Sequence, residues 1–141
     1  MNAESAAGVK KNGTPLQVLV IDDSMFIIKQ LSQILTSSGF AIAGSASDGE
    51  EGLQKYKELY PRVDLVTLDI TMPKMDGVAT LEKIMEFDDK ANVIMVTALG
   101  RQDLVKKALL TGARNYIVKP LDRRKVLERV EMVVRAMRNC I

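Results

Sequence analysis

Five short apolar runs, each followed by a stretch with helical spacing, limit the possible folds of this chain more than any other feature. The runs cover residues 16–21, 41–45, 63–68, 92–96 and 113–118. Most of them are rich in β-branched residues, which is typical of strands. A β-α unit repeated five times predicts a parallel sheet covered by helices on both faces, because parallel strands need long crossover connections.

The stretches between these runs carry apolar residues at helical spacing. The repeat is clearest in the first and last stretches, at Ile27, Leu31, Ile34 and Leu35, and at Val126, Val130, Val133, Val134 and Met137. Gly39 and Gly112 stand where helices are expected to end, and Asp48 with Glu51 matches a capping box. These signals indicate helices between the strands.

The predicted fold class is α/β, a single domain with a doubly wound, five-stranded parallel sheet. Residues 18–21 are apolar on both faces, as in buried parallel strands. We expect a flavodoxin-like strand order, 2-1-3-4-5. Residues 1–14 are small, polar and basic, which predicts a mobile N-terminal tail, and the domain is expected to cover residues 15–141.

Composition narrows the possible chemistry. The chain has 141 residues, enough for one domain, and a single cysteine, Cys140, so an intramolecular disulfide is impossible. Residues 1–14 lack the apolar core of a signal peptide and no run is long enough to span a membrane, so we expect a cytoplasmic protein without membrane insertion. The net charge of +2 gives little attraction to nucleic acid. The chain has no histidine, so its chemistry must come from carboxylates, hydroxyls, lysine and backbone.

Polar residues follow four of the five predicted strands. Asp22 and Asp23 follow the first strand, Asp69 the third, Thr97 the fourth and Lys119 the fifth. With the order 2-1-3-4-5 these four strands are contiguous, and ligands of open parallel sheets bind outside the carboxyl ends of the strands. The sequence therefore predicts that these side chains meet in one crevice.

Each of these residues also has a simpler interpretation, as a helix cap, a turn, a strand residue or a surface charge. Together they favour a metal site, because three carboxylates at one edge repel each other by about 4 kcal/mol per pair at ~4 Å and an effective dielectric of ~20. Lys119 supplies one compensating charge. A hard divalent cation would supply the rest, and Mg²⁺ fits, with Mn²⁺ able to take its place.

Such a site suits phosphoryl transfer to a carboxylate. An aspartate beside magnesium and lysine can attack phosphorus and form an aspartyl phosphate. The transfer depends mainly on positioning and on neutralising the phosphoryl oxygens. Asp69 is the candidate nucleophile, with Lys119 and the Thr97 hydroxyl as partners of the phosphoryl group.

The segments 18–24, 68–77, 96–98 and 118–120, taken in order at strand ends, resemble the receiver domain of two-component response regulators. The resemblance covers roughly residues 15–139 and implies that Asp69 is the phosphoacceptor. It implies that Asp23, Asp69 and the Thr71 carbonyl bind magnesium directly and that Asp22 acts largely through water. It also implies a cis peptide between Lys119 and Pro120. Pro73 is expected to fix the loop that presents Thr71.

The resemblance further implies a switch formed by Thr97 and Tyr116. Phosphorylation would draw the Thr97 hydroxyl inward, and the Tyr116 ring would turn from solvent toward the interior, although a tyrosine at this position can also be simple packing. The face built from helix four, strand five and helix five would then change its affinity for a partner. Basic residues fall around this face, where they are either solvated or suited to an acidic partner helix: Arg101, Lys106, Lys107, Arg123, Arg124 and Lys125.

The chain ends after the fifth predicted helix, so it resembles the single-domain chemotaxis members of the family. The resemblance implies a signalling switch that catalyses only its own phosphorylation and dephosphorylation, a sensor histidine kinase as donor, and a flagellar motor switch protein as output partner of a monomer. Leu99, two residues after Thr97, offers no group to orient water. We therefore expect slow self-dephosphorylation and a dedicated phosphatase.

Three alternatives share this architecture. A stand-alone receiver could serve a phosphorelay or gene regulation, and the sequence does not separate these from motor control. A haloacid-dehalogenase-type phosphatase would need a second aspartate where Thr71 stands. A flavodoxin would need a Ser/Thr/Gly phosphate loop where Asp22 and Asp23 stand.

Overall fold

The computed structural model describes residues 8–10, 12–72 and 75–139. This part of the chain forms one five-stranded parallel sheet in the order β2-β1-β3-β4-β5, which confirms the predicted fold class and topology. The strands are β1 (Gln17–Ile21), β2 (Ala41–Ala46), β3 (Leu65–Asp69), β4 (Val93–Thr97) and β5 (Asn115–Val118). The helices are α1 (Met25–Thr36), α2 (Gly49–Leu59), α3 (Gly77–Phe87), α4 (Gln102–Thr111) and α5 (Arg123–Asn139).

Two apolar layers hold the helices on the sheet. Alternate residues of β1 enter opposite layers, with Leu19 in one and Val18 in the other, because successive strand side chains point to opposite faces. The first layer contains buried residues of α2, α3 and α4, and the second contains those of α1 and α5. Both faces of the sheet are therefore covered, and ligands can reach the strands only at their ends.

Side-chain caps fix where three helices begin near the sheet edge. Ser24 caps α1 by accepting a hydrogen bond from the Ile27 N–H, and Asp76 caps α3. Asp48 caps α2 by accepting from the Glu51 N–H at 2.8 Å. The Glu51 carboxylate accepts in return from the N–H of Ser47 at 2.7 Å, one residue before the position that the capping-box pattern predicts.

Strands β3 and β5 begin two residues later than predicted. Before β3, the Asp64 carboxylate accepts from the Gln17 N–H at 2.8 Å. Before β5, the Ala113 N–H donates to the Ala108 carbonyl at the end of α4, where Gly112 adopts a φ of 133°. A positive φ at a residue after a helix is the conformation that glycine allows most easily. These side-chain and helix-end hydrogen bonds hold the residues just before β3 and β5.

The described part of the N-terminal segment lies against the domain. The Gly8 N–H donates to the Ser38 carbonyl at 2.9 Å, and Val9 pairs with Pro15 in an antiparallel bridge. Lys10 forms an ion pair with Asp64 at 3.4 Å. Part of the predicted mobile tail, residues 1–14, lies outside the described residues. Pro73 and Cys140 also lie outside them. The described part of the tail forms an arm, residues 8–10 and 12–15, at the amino ends of the strands.

Two X-Pro peptide bonds are cis, at Tyr60–Pro61 and Lys119–Pro120. The second confirms the expectation drawn from the family resemblance. Within the described ranges, no helix has both the length and the apolar character that a membrane span requires.

Candidate metal centre

Three carboxylates meet where β1 and β3 end. Asp22 follows the last residue of β1, Asp69 is the last residue of β3, and the neighbouring pair Ile21 and Leu68 set the two strands in register. Asp22, Asp23 and Asp69 each offer one oxygen, and these oxygens all lie within 4.8 Å of one another. The structure therefore brings together the acidic residues that the strand ends predicted.

Lys119, just after β5, reaches across to the same group. Its Nζ lies 3.3 Å from Asp22 Oδ2 and 3.6 Å from Asp69 Oδ1. Asp22 Oδ1 accepts a hydrogen bond from the Ser24 N–H at 2.9 Å. Asp22 Oδ2 is buried, and its contact with the Lys119 ammonium is an ion pair. In the described part of the chain, Lys119 is the one lysine that pairs with this group of three carboxylates.

Burial makes this charge imbalance costly. Asp22 is 0% exposed and Asp69 4%, whereas Asp23 is exposed. Desolvation raises the pKa of Asp22, against the opposing effects of the Ser24 N–H and Lys119. Desolvation also raises the pKa of Asp69 to about 7, and the charge of Asp22 and the approach of Asp23 add to it, while Lys119 and the Thr71 N–H oppose it. The site needs a further cation to hold its carboxylates ionised.

The donor set fits a hard divalent cation. Every candidate side-chain ligand is a carboxylate oxygen, which suits Mg²⁺, Mn²⁺ or Ca²⁺ better than metals that prefer nitrogen or sulfur. Asp22 Oδ2, which contacts the Lys119 ammonium, still has acceptor capacity for a cation. These residues could hold a metal ion.

The other residues predicted for the site, Thr71, Thr97 and Tyr116, differ in how far they are buried. Thr71 is exposed, and its N–H donates to Asp69 Oδ1 at 3.3 Å. Thr97 is buried at the end of β4, and its hydroxyl donates to the Ala98 carbonyl at 3.2 Å. The Thr97 carbonyl accepts from the Lys119 N–H at 2.7 Å, which ties β4 to the lysine. Tyr116 lies two residues before Val118 on β5 and is half-buried outside the carboxylate cluster.

One contact near Tyr116 was not predicted from the sequence. The Arg129 guanidinium carbon, on α5, lies 4.7 Å from the centroid of the Tyr116 ring. The two residues are on different elements, and their approach depends on how α5 packs against β5. No local pattern in the sequence could have indicated it.

Comparison with known proteins identifies the family to which this geometry belongs. The family model of the response regulator receiver domain matches residues 18–131. The chain belongs to this family. The match includes the strand-end residues of the cluster and the lysine that faces them.

The most informative relatives of this receiver domain are chemotaxis proteins. The chemotaxis protein CheY of Treponema pallidum is 61% identical over 135 residues, which cover 96% of this chain and 94% of the relative. CheY of Thermotoga maritima is 42% identical over 117 residues, covering 83% of this chain and 96% of the relative. In a solved structure from Borrelia burgdorferi, a CheX-CheY-BeF₃-Mg²⁺ complex, the matching chain is 57% identical with a TM-score of 0.89, covering 92% of this chain and 97% of that one.

These similarities support a chemotaxis response regulator, a signalling protein of the CheY-like type. They do not favour the alternatives of a phosphorelay or transcription-related receiver or of a haloacid-dehalogenase-type phosphatase.

Proposed function

We propose that this receiver domain accepts a phosphoryl group on Asp69 from a sensor histidine kinase and that Mg²⁺ is its cofactor. The carboxylates of Asp22, Asp23 and Asp69 and the backbone carbonyl of Thr71 would hold the ion, with Asp22 acting largely through water. One observation carries the proposal: three carboxylate oxygens converge within 4.8 Å, and among the described residues Lys119 is the one lysine that pairs with them.

The chain's own residues suffice for the transfer once the cation is bound. Mg²⁺ held by these residues would supply positive charge against the carboxylates and the phosphoryl group. An Asp69 carboxylate oxygen forms the new bond to phosphorus as the bond between phosphorus and the donor's imidazole nitrogen breaks. Lys119 Nζ, already 3.6 Å from Asp69 Oδ1, pairs with a second phosphoryl oxygen. The Thr97 hydroxyl, which has only a weak 3.2 Å bond to Ala98, is available for a third.

The switch would pass from Thr97 to Tyr116 and on to the face formed by α4, β5 and α5. That face contains a groove of about 370 Å³ with apolar walls from Leu99, Val105, Leu109, Leu110, Tyr116 and Val118. Arg101 and Lys106 also line it. An acidic amphipathic segment matches both properties, and we propose a flagellar motor switch protein as the partner that presents it.

A second partner would return the switch to its resting state. Leu99 is 81% exposed and has no polar atom on its side chain to orient water for hydrolysis. The Borrelia burgdorferi relative was solved together with a separate protein, CheX. This association supports our proposal of a dedicated phosphatase. We further propose that the protein is a cytoplasmic monomer.

Mass spectrometry of the intact protein after incubation with acetyl phosphate and magnesium tests the central chemistry. We expect a gain of one phosphoryl group, which Asp69→Asn and removal of magnesium with EDTA both abolish. Asp89→Asn is a suitable control because Asp89 is an exposed aspartate outside the cluster. Modification of Asp69→Asn to the wild-type level would overturn the proposal.

A further inference from the structure

The Tyr116 ring lies between two grooves on the same face. The first, of about 370 Å³, is lined on the α4 side by Thr97 and Val105, among others. The second, of about 550 Å³, is lined on the α5 side by Lys119 and Arg129, among others. Tyr116 lines both grooves. A turn of its ring toward Thr97 therefore exchanges contacts on the α5 side for contacts on the α4 side.

On the α5 side, Arg129 contacts Tyr116 directly and is also linked to it through Asn115. Its guanidinium carbon lies 4.7 Å from the ring centroid, a distance at which a cation attracts the face of an aromatic ring. Its Nη1 also donates to Asn115 Oδ1 at 3.2 Å. The same Asn115 oxygen accepts from the backbone N–H of Tyr116 at 2.8 Å. The arginine thus contacts the ring and the amide oxygen that holds the Tyr116 backbone.

We propose that Arg129 is a positioning residue that holds the Tyr116 ring on the α5 side and so sets the resting balance of the switch. The inference rests on the proposed function, because it acts through the Thr97 and Tyr116 switch. When the ring turns toward Thr97 it loses the guanidinium, so the arginine favours the unphosphorylated state. A lysine would keep the charge but lose the planar group that can stack on the ring and bond to Asn115 at once.

Thermodynamic linkage gives the size of the effect. A cation–π contact of this kind, at a half-exposed site, corresponds to about a two- to five-fold change in an equilibrium constant. Loss of Arg129 should therefore increase the ratio of inward to outward rings by about two- to five-fold. When inward rings are the minor population, a ligand that binds only that state should bind tighter by the same factor.

The first experiment follows the ring itself in the full chain. The protein contains three tyrosines, so 3-fluorotyrosine labelling gives a simple fluorine NMR spectrum in which Tyr116→Phe assigns the Tyr116 signal. We expect Arg129→Ala to move this signal toward its position in wild-type protein saturated with fluoroberyllate and Mg²⁺, and Arg129→Lys to move it part of the way. Arg135→Ala removes the same charge from an exposed site on α5 and should leave the signal in place. A shift in another direction, or no shift, would overturn the inference.

The second experiment is a double-mutant cycle on fluoroberyllate binding in the presence of Mg²⁺. Arg129→Ala should tighten binding about two- to five-fold when Tyr116 is present and have no effect in a Tyr116→Ala background. An equal effect in both backgrounds would mean that Arg129 does not act through the ring, and the inference alone fails. If the wild-type protein does not bind fluoroberyllate at all, the proposed function fails and takes the inference with it.

Discussion

Single side chains decide the chemistry at the carboxyl edge of the sheet, and Asp69 has the most unusual environment among them. It combines a nearly complete loss of solvent with two neighbouring carboxylates and one lysine. Its type and its place after a strand were evident from the sequence. Its burial was not evident from the sequence, because burial depends on helices that contact the sheet from both sides. The raised pKa therefore became evident only with the structure.

The raised pKa of Asp69 predicts a pH-dependent stability of the metal-free protein. Between the ordinary pKa and about 7, the native state binds more protons than the unfolded chain, so the free energy of unfolding falls as the pH rises through this range. Asp69→Asn removes the ionisation. In EDTA it should be more stable than wild type at pH 8 by roughly 1–3 kcal/mol, with no such gain at pH 4. Urea unfolding at both pH values measures the difference, and a gain independent of pH would contradict it.

Leu99 provides a kinetic prediction at the same scale. A carboxylate at this exposed position beside Thr97 could orient the water that attacks the aspartyl phosphate. Leu99→Glu should therefore speed loss of the phosphoryl group several-fold, as followed by mass spectrometry after acetyl phosphate is removed. Leu110→Glu is a matched control, since both leucines are 81% exposed. An unchanged rate in Leu99→Glu would rule out the water-orientation hypothesis.

Thr67, in the middle of β3, predicts a stabilising substitution. Its side chain is 0% exposed, and its hydroxyl has no hydrogen-bond partner in the described part of the chain. Thr67→Val replaces an unsatisfied polar group with a methyl of similar size and should raise the free energy of unfolding by about 1 kcal/mol. Thr80→Val should have the opposite effect, because the Thr80 hydroxyl donates to the Asp76 carbonyl at 2.8 Å. Urea midpoints of the two variants test the contrast.

Elements were predictable to the extent that their signals are local. Runs of β-branched residues, helical spacing and caps such as Asp48 depend on neighbours in sequence, so the five strands and the helices between them were predicted from local signals. The strand order was expected from the fold class, and the structure confirms it. The start of β3 depends on Asp64, which bonds to Gln17 from 47 residues away. The contact of Arg129 with Tyr116 depends on how α5 packs. A pattern of neighbouring residues does not indicate such long-range contacts.

The N-terminal arm is the element whose contacts the sequence did not indicate, and it carries a prediction of its own. A Cβ at Gly8 would lie 2.4 Å from the Phe40 nitrogen and 2.5 Å from its ring. Gly8→Ala should therefore displace the arm and lower the free energy of unfolding by about 1–3 kcal/mol. Lys10→Met removes only the partly exposed ion pair with Asp64 and should cost less than about 1 kcal/mol. If Gly8→Ala unfolds at the wild-type urea concentration, the arm does not contribute to stability.

At the scale of the whole molecule, the two ends of the sheet differ in their contacts and in their charge. The arm and the buried Phe40 cover the amino ends of β1 and β2. The carboxyl ends hold a cluster of three carboxylates whose negative charge exceeds that of its partner Lys119. Stability at one end can therefore support a costly charge arrangement at the other, as is expected when a functional site is unfavourable without its ligand.

Magnesium should link the stability of the whole domain to this crevice. An ion that binds only the native state stabilises it by about 2.7 kcal/mol at a hundred times its dissociation constant. We expect Mg²⁺ to raise the urea midpoint of the wild type, and Asp23→Asn to lose most of this response while Asp89→Asn keeps it. Asp23 is exposed and adds to the repulsion around Asp69, so its replacement should not lower the metal-free midpoint. A lost response in Asp23→Asn would then report metal binding itself, and an undiminished response would exclude Asp23 as a ligand.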